Sequence, residues 1–228
     1  MGTSWGTLLG LHLAARRPDL VAAYVGTGQF VDGPRGARYG YDTALRDARL
    51  RGDSAAVAEL EAAGPPPYSR FEDFLVRQKY VNPPNQKPSA LDAAAMAEAA
   101  KLLSQPAPSD ARYVARDLPE VDAVEGFLNT QRAVFAETAA FEAETLGTEF
   151  KVPMFFFQGA EDLNTPTALV RDYFARIKAP VKRLEILPDV GHLIVVHHDR
   201  LLQLLNEHVR PLVLEPSSSM QGSITAAY

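Results

Sequence analysis

The sequence predicts an α/β fold: a parallel sheet with flanking helices, interrupted by a long all-helical insertion. Three stretches carry that prediction. Gly2-Thr3-Ser4-Trp5-Gly6 leads into a helical pattern and then an apolar run, residues 33–148 alternate helix and break, and strand and helix resume from Val152. Parallel strands buried on both faces read as near-continuous apolar runs, and their connections are helical crossovers.

Taken in order, Leu8, Leu9, His12 and Leu13 fall at helical spacing and stop at Arg16-Arg17-Pro18. Leu20 to Gly26 is apolar on both faces, which predicts a buried parallel strand. Ser4 therefore opens a helix that returns to a strand, half of a βαβ unit. In the insertion, Asp53 and Ser54 are N-cap candidates for an alanine-rich helix ending before Gly64-Pro65-Pro66-Pro67. Phe71, Phe74 and Leu75 mark an amphipathic turn or two, and Ser89 with Asp92 resembles a capping box ahead of Leu102 and Leu103. Pro119 opens a further helix, whose stripe of Val121, Val124, Phe127, Leu128, Val134, Phe135 and Phe141 runs to Gly147. Val152 to Phe157 then reads as a central strand, Pro166 opens a helix through Tyr173, Phe174 and Ile177, and Val181 to Leu187 alternates as an outer strand. Leu201, Leu204, Leu205 and Val209 stripe a last helix, and the Ser-, Ala- and Gly-rich residues 215–228 read as a disordered tail. The expected division is a core over 1–32 and 149–214 with a helical unit over 33–148.

Composition narrows the function classes. A net charge of −5 gives no reason to expect nucleic acid or an anionic membrane as partner. The absence of cysteine removes disulfides and a thiol nucleophile, and is compatible with the cytoplasm, the expected location. Arg16 and Arg17 follow the first apolar run, the reverse of a signal peptide, and Gly6 stands where a myristoylation site needs Ser or Thr. No apolar stretch approaches the ~20 residues of a membrane span.

Three residues point to nucleophilic chemistry. A serine hydroxyl is a weak nucleophile and has to be presented to a base, which a strained strand-to-helix turn achieves; the glycines flanking Ser4 suit such a turn. The backbone N–H of Trp5 would then face a developing oxyanion. Asp162 follows the Phe-rich strand and His192 follows the next, both in carboxyl-end loops, where open α/β sheets place their sites. Each has a structural rival. His192 could be a hydrogen-bonded core histidine, and Glu161 competes with Asp162. Tyr68, Phe71, Phe74 and Tyr80 could line a pocket, but aromatic residues at helical spacing read as core first. His12 reads as a packed helix residue, and His197, His198 and His208 as surface residues.

The chain resembles the α/β-hydrolase family. Gly2-Thr3-Ser4-Trp5-Gly6 is similar to its nucleophile elbow, Gly159 with Asp162 and Pro166 to its acid loop, and Gly191-His192 to its histidine loop, in the family's chain order. Trp5, the run Val25-Gly26-Thr27-Gly28-Gln29 and the helical insertion are similar to its proline iminopeptidase (prolyl aminopeptidase) branch. The resemblance implies Ser4 as nucleophile, His192 as general base and Asp162 as the group that orients it, with Trp5 giving an oxyanion donor. It implies no metal or organic cofactor. It also implies that acidic residues of a helical cap receive the substrate's free amine, for which Glu120 and Glu125 are the candidates.

Family members begin with strands, and an oxyanion loop, that would precede Met1. The expectation is therefore the C-terminal part of the fold, with about three strands, no strand entering Ser4, and an unpaired edge at Leu20 to Gly26. The function expected is a serine hydrolase on peptide or small amide or ester bonds, most like an aminopeptidase releasing N-terminal proline. The alternatives are an esterase or amidase on small substrates, or a catalytically silent fragment that needs a partner chain. Expected partners are the small substrate and, through the exposed sheet edge, a second copy or another chain.

Overall fold

A computed structural model of the chain describes residues 1–81, 90–103 and 123–214. The chain divides into two compact units, one formed by Met1–Val31 with the chain from Ala143 onward, the other by Asp32–Glu142.

The first unit holds a four-stranded, wholly parallel sheet in the order β1-β2-β3-β4, made of β1 (Gly2–Thr3), β2 (Tyr24–Thr27), β3 (Met154–Gly159) and β4 (Lys182–Leu187). Helix α1 (Gly6–Arg16) crosses from β1 to β2, and a second crossover helix, Thr167–Arg176, joins β3 to β4. The register sets Thr3, Thr27, Phe157 and Glu185 side by side, so the carboxyl ends of all four strands are level to within two residues.

Two expectations need correcting. A strand does enter Ser4: Gly2 and Thr3 pair with Gly26 and Thr27, and Ser4 N–H donates to the Thr27 carbonyl at 2.9 Å. The side of β2 expected to be an open edge is thus occupied at its carboxyl end, and the sheet has four strands. The strand expected from Leu20 starts only at Tyr24, because Pro18–Leu20 form a 3₁₀ turn and Leu20 points to solvent, 61% exposed.

The sheet is filled from both faces, as alternation along β3 requires. Phe155 and Phe157 face Val25, Leu187, Val190, Ile194, Leu201 and Leu204. Phe156 faces the other way, with ring centroids 5.9 Å from Tyr24, 6.5 Å from Tyr173 and 5.2 Å from Phe174. These phenylalanines are fully buried, which rigidly seats the strand whose end carries Asp162.

The second unit is helical among its described residues: α2 (Gly33–Leu50), α3 (Ser54–Ala63), α4 (Phe71–Val81), α5 (Ala90–Leu103), α6 (Ala123–Ala133) and α7 (Phe135–Ala139). Asp53 caps α3 by accepting from the Ala56 N–H at 3.0 Å. The turn or two expected near Phe71 is the full helix α4, where Phe71, Phe74 and Phe135 pack ring on ring. The stripe expected to reach Gly147 stops at Ala139, and Ala143–Leu146 form a separate 3₁₀ turn. Its start at Pro119 and the Ser89 cap lie outside the described residues, as does the tail over 215–228.

Following the Thr167–Arg176 helix (α8), α9 (His198–Leu204) and α10 (Arg210–Leu214) flank a π-helical turn at Leu205–Val209 and complete the first unit. His197, expected at the surface, is buried at the start of α9, whereas His198 is exposed. No described helix is long and apolar enough to cross a membrane.

Candidate active site

Each strand delivers one part of the site from its carboxyl end. Beyond β1, Ser4 adopts φ 52, left-handed backbone that costs an ordinary L-residue about 1–2 kcal/mol. The strain is held by its neighbours, since the Ser4 carbonyl accepts from the Thr7 N–H at 2.8 Å and from Thr7 Oγ1 at 2.5 Å. Gly2 has to lack a side chain because a Cβ there would lie 2.5 Å from the Gly6 carbonyl oxygen. A Cβ on Gly6 would meet nothing within 4 Å, so only the first of the flanking glycines answers a crowding need.

Beyond β4, His192 lies with its ring between the other two residues. Its Nε2 is 2.8 Å from Ser4 Oγ and its Nδ1 is 2.9 Å from Asp162 Oδ2. Asp162, beyond β3, is fully buried, while the His192 side chain keeps 13% exposure. With the carboxylate ionised, Nδ1 carries the proton and Nε2 is left to accept from the serine hydroxyl.

Burial pushes the Asp162 carboxyl up, but the neighbouring His192 charge and hydrogen bond, with the Thr165 donors, outweigh it. The net effect holds Asp162 below the ordinary carboxyl value, as the anion. Beyond β2, Gly28 closes the group at φ 55, where an added Cβ would lie 3.1 Å from His192 Nδ1 and Cε1. Gly28→Ala is accordingly expected to destabilise the fold by about 1–3 kcal/mol through backbone strain, and also to displace the imidazole. Urea unfolding measures the first effect and turnover the second; an unchanged midpoint with full turnover would contradict it.

The other expected site residues fall as follows. Trp5 follows Ser4 directly at the start of α1, with φ −52 and ψ −34, so its backbone N–H belongs to the helix N-terminus beside the serine. Glu161 sits next to Asp162 but is exposed, and it is Asp162 whose carboxylate meets the His192 ring. Glu125 is exposed on α6, and Glu120 lies outside the described residues. Among the described residues, no cluster of three His, Asp or Glu side chains is placed to hold a metal ion.

A model of the alpha/beta hydrolase family matches residues 1–204. The chain belongs to the alpha/beta hydrolase family. Within that family it is similar to "Probable aminopeptidase YbaC" of Bacillus subtilis (strain 168), at 25% identity over 214 residues. That match covers 92% of this chain and 64% of the relative, so the chain spans less than two thirds of the relative's length. Among solved structures, it is similar to an alpha/beta fold family hydrolase from Bacillus anthracis str. Sterne, with TM-score 0.54 and 16% identity over 90% of this chain and 65% of the other. A proline iminopeptidase-related protein from Thermus thermophilus matches with TM-score 0.54 and 15% identity over 93% and 63% of the two chains. At such identities the structural likeness is one of fold.

Two polar residues that hold Asp162 are not evident from the sequence. Thr165 donates its hydroxyl to Asp162 Oδ2 at 2.6 Å, and Gln158 donates its amide to the same oxygen at 2.8 Å. Both are buried, and a buried glutamine at the end of an otherwise apolar strand is the one signal that could have marked it.

Proposed function

We propose that the chain is the catalytic portion of a serine hydrolase that cleaves peptide, amide or ester bonds, with release of an N-terminal residue, proline foremost, as its reaction. The supporting observation is the unbroken line of hydrogen bonds from Ser4 Oγ through His192 to a buried, ionised Asp162, on a serine held at φ 52. In this reading His192 Nε2 takes the hydroxyl proton as Ser4 Oγ attacks the carbonyl, and Asp162 stabilises the imidazolium that forms. The Trp5 N–H, at the α1 N-terminus, donates to the tetrahedral oxyanion. His192 then protonates the leaving amine or alcohol, and water, deprotonated by the same nitrogen, frees the acyl group.

The aminopeptidase part rests on the likeness to a probable aminopeptidase. It assigns residues 33–148 the part of a cap, with Glu125 as a described candidate for holding the substrate's ammonium group. Substrate profiling of the purified protein tests it. Proline amides of aromatic amines are expected to be turned over, and to lose rate when their amino group is acylated. Hydrolysis of aryl esters without any of proline amides would replace this reading with an esterase, and no hydrolysis by folded protein would favour the silent one.

A further inference from the structure

Asp162 is held by more than its own loop. Oδ2 takes three side-chain donors, Gln158 Nε2 at 2.8 Å, Thr165 Oγ1 at 2.6 Å and His192 Nδ1 at 2.9 Å. Oδ1 takes the backbone N–H groups of Asn164 and Thr165, both at 2.9 Å. A carboxylate offers about four lone-pair sites, so five donors leave it no second orientation.

Gln158 differs from the other donors in what its far end does. Its Oε1 accepts from the Gln29 backbone N–H at 2.8 Å, across 129 residues of sequence, and so ties the end of β3 to the loop after β2. Gln29 is fixed in turn, since its Oε1 accepts from Tyr24 OH at 2.7 Å and its Nε2 donates to the Phe30 carbonyl at 2.9 Å. The Phe30 N–H donates to Thr7 Oγ1 at 3.0 Å, and Thr7 Oγ1 donates to the Ser4 carbonyl. His192 closes the circuit from Asp162 back to Ser4 Oγ. Gln158, Gln29 and Thr7 are all fully buried, and the bonds from Gln158 to Asp162 and to the Gln29 N–H lie in the interior, away from competing water.

We propose that Gln158 is a positioning residue, whose amide bridges Asp162 and the Gln29 backbone and thereby fixes the acid relative to the turn that carries Ser4. Its catalytic meaning rests on the serine-hydrolase reading above; the bridge itself does not. The amide suits this place because it has a donor for the carboxylate and an acceptor for the N–H at one reach. A methionine fills the same space with neither, and an asparagine has both but is one methylene too short to span them.

The test compares the wild-type 228-residue chain with Gln158→Met and Gln158→Asn. The first readout is the downfield proton resonance of His192 Nδ1–H in ¹⁵N-histidine-labelled protein, assigned by its loss in His192→Ala. The second is the fluorophosphonate labelling rate as a function of probe concentration. In both variants the resonance is expected to move or broaden. The maximal labelling rate is expected to fall about 10-fold or more, with little change in the half-saturating concentration. Folded variants that keep the wild-type resonance and rate would overturn the proposal while leaving the serine-hydrolase reading intact. A resonance that moves in variants of a chain that never labels would support the bridge and overturn that reading. If the methionine variant does not fold, the asparagine variant decides alone.

Discussion

His192→Ala is expected to leave a folded protein whose turnover of any substrate of the wild type falls by about 10⁶, the loss seen when a serine hydrolase is stripped of its base. Without the ring, the Ser4 hydroxyl loses the acceptor 2.8 Å away that would take its proton. The fold is expected to survive, because the side chain is not part of the apolar cluster around Phe155 and Phe157 and Asp162 keeps four of its five donors. Turnover measured beside a thermal melt checks it. A variant that melts like the wild type and keeps more than about a hundredth of its rate would be incompatible with a base at this position.

Asp162→Asn is expected to cost about 10⁴ in kcat. An amide at this place turns an N–H toward one of two sets of donors. The least unfavourable choice faces His192, which then has to accept at Nδ1 and carry its proton on Nε2. That tautomer cannot accept from Ser4, so the ring is in place and the wrong way round for catalysis.

The same substitution has a pH signature. Because the folded-state pKa of Asp162 is lowered, the unfolded chain binds more protons in the acid range, and stability rises with pH there. The contribution is fully present above the unfolded value of about 3.9 and is lost as pH falls through it and then through the lower folded pKa. The gap in melting temperature between wild type and Asp162→Asn is therefore expected to be widest near neutrality and to narrow below about pH 4. A gap that stays constant across that range would mean that Asp162 is not held as a stabilised anion.

The parallel core is legible in the sequence because both of its signals are local. Met154-Phe155-Phe156-Phe157 is too apolar for a strand with a wet face, and the helical stripes on either side have the period of crossovers. Asp162 and His192 can be picked out because each follows such a strand-like run, and Ser4 because glycines flank it ahead of a helical stripe; in the structure the His192 ring lies within hydrogen-bond distance of both Ser4 and Asp162. What is not legible depends on partners distant in sequence. Strand β1 is two residues long, too short for any period, and exists through its pairing with Gly26 and Thr27. Gln29, Gln158, Thr7 and Thr165 look like ordinary polar residues until the fold buries them against each other. His197 sits in a charged, histidine-rich stretch that reads as surface, yet the 3₁₀ turn at Ile194–Val196 directs it inward. Leu20 errs in the opposite sense, apolar by type but turned outward by the Pro18 turn.

The central claim is that Ser4 is an activated nucleophile, and the most direct measurement is to treat the folded chain with a fluorophosphonate probe and map the adduct by peptide mass. A single adduct is expected on the peptide containing Ser4, abolished by Ser4→Ala and by His192→Ala. Folded wild-type protein that takes up no probe, or takes it up equally after Ser4→Ala, would contradict it.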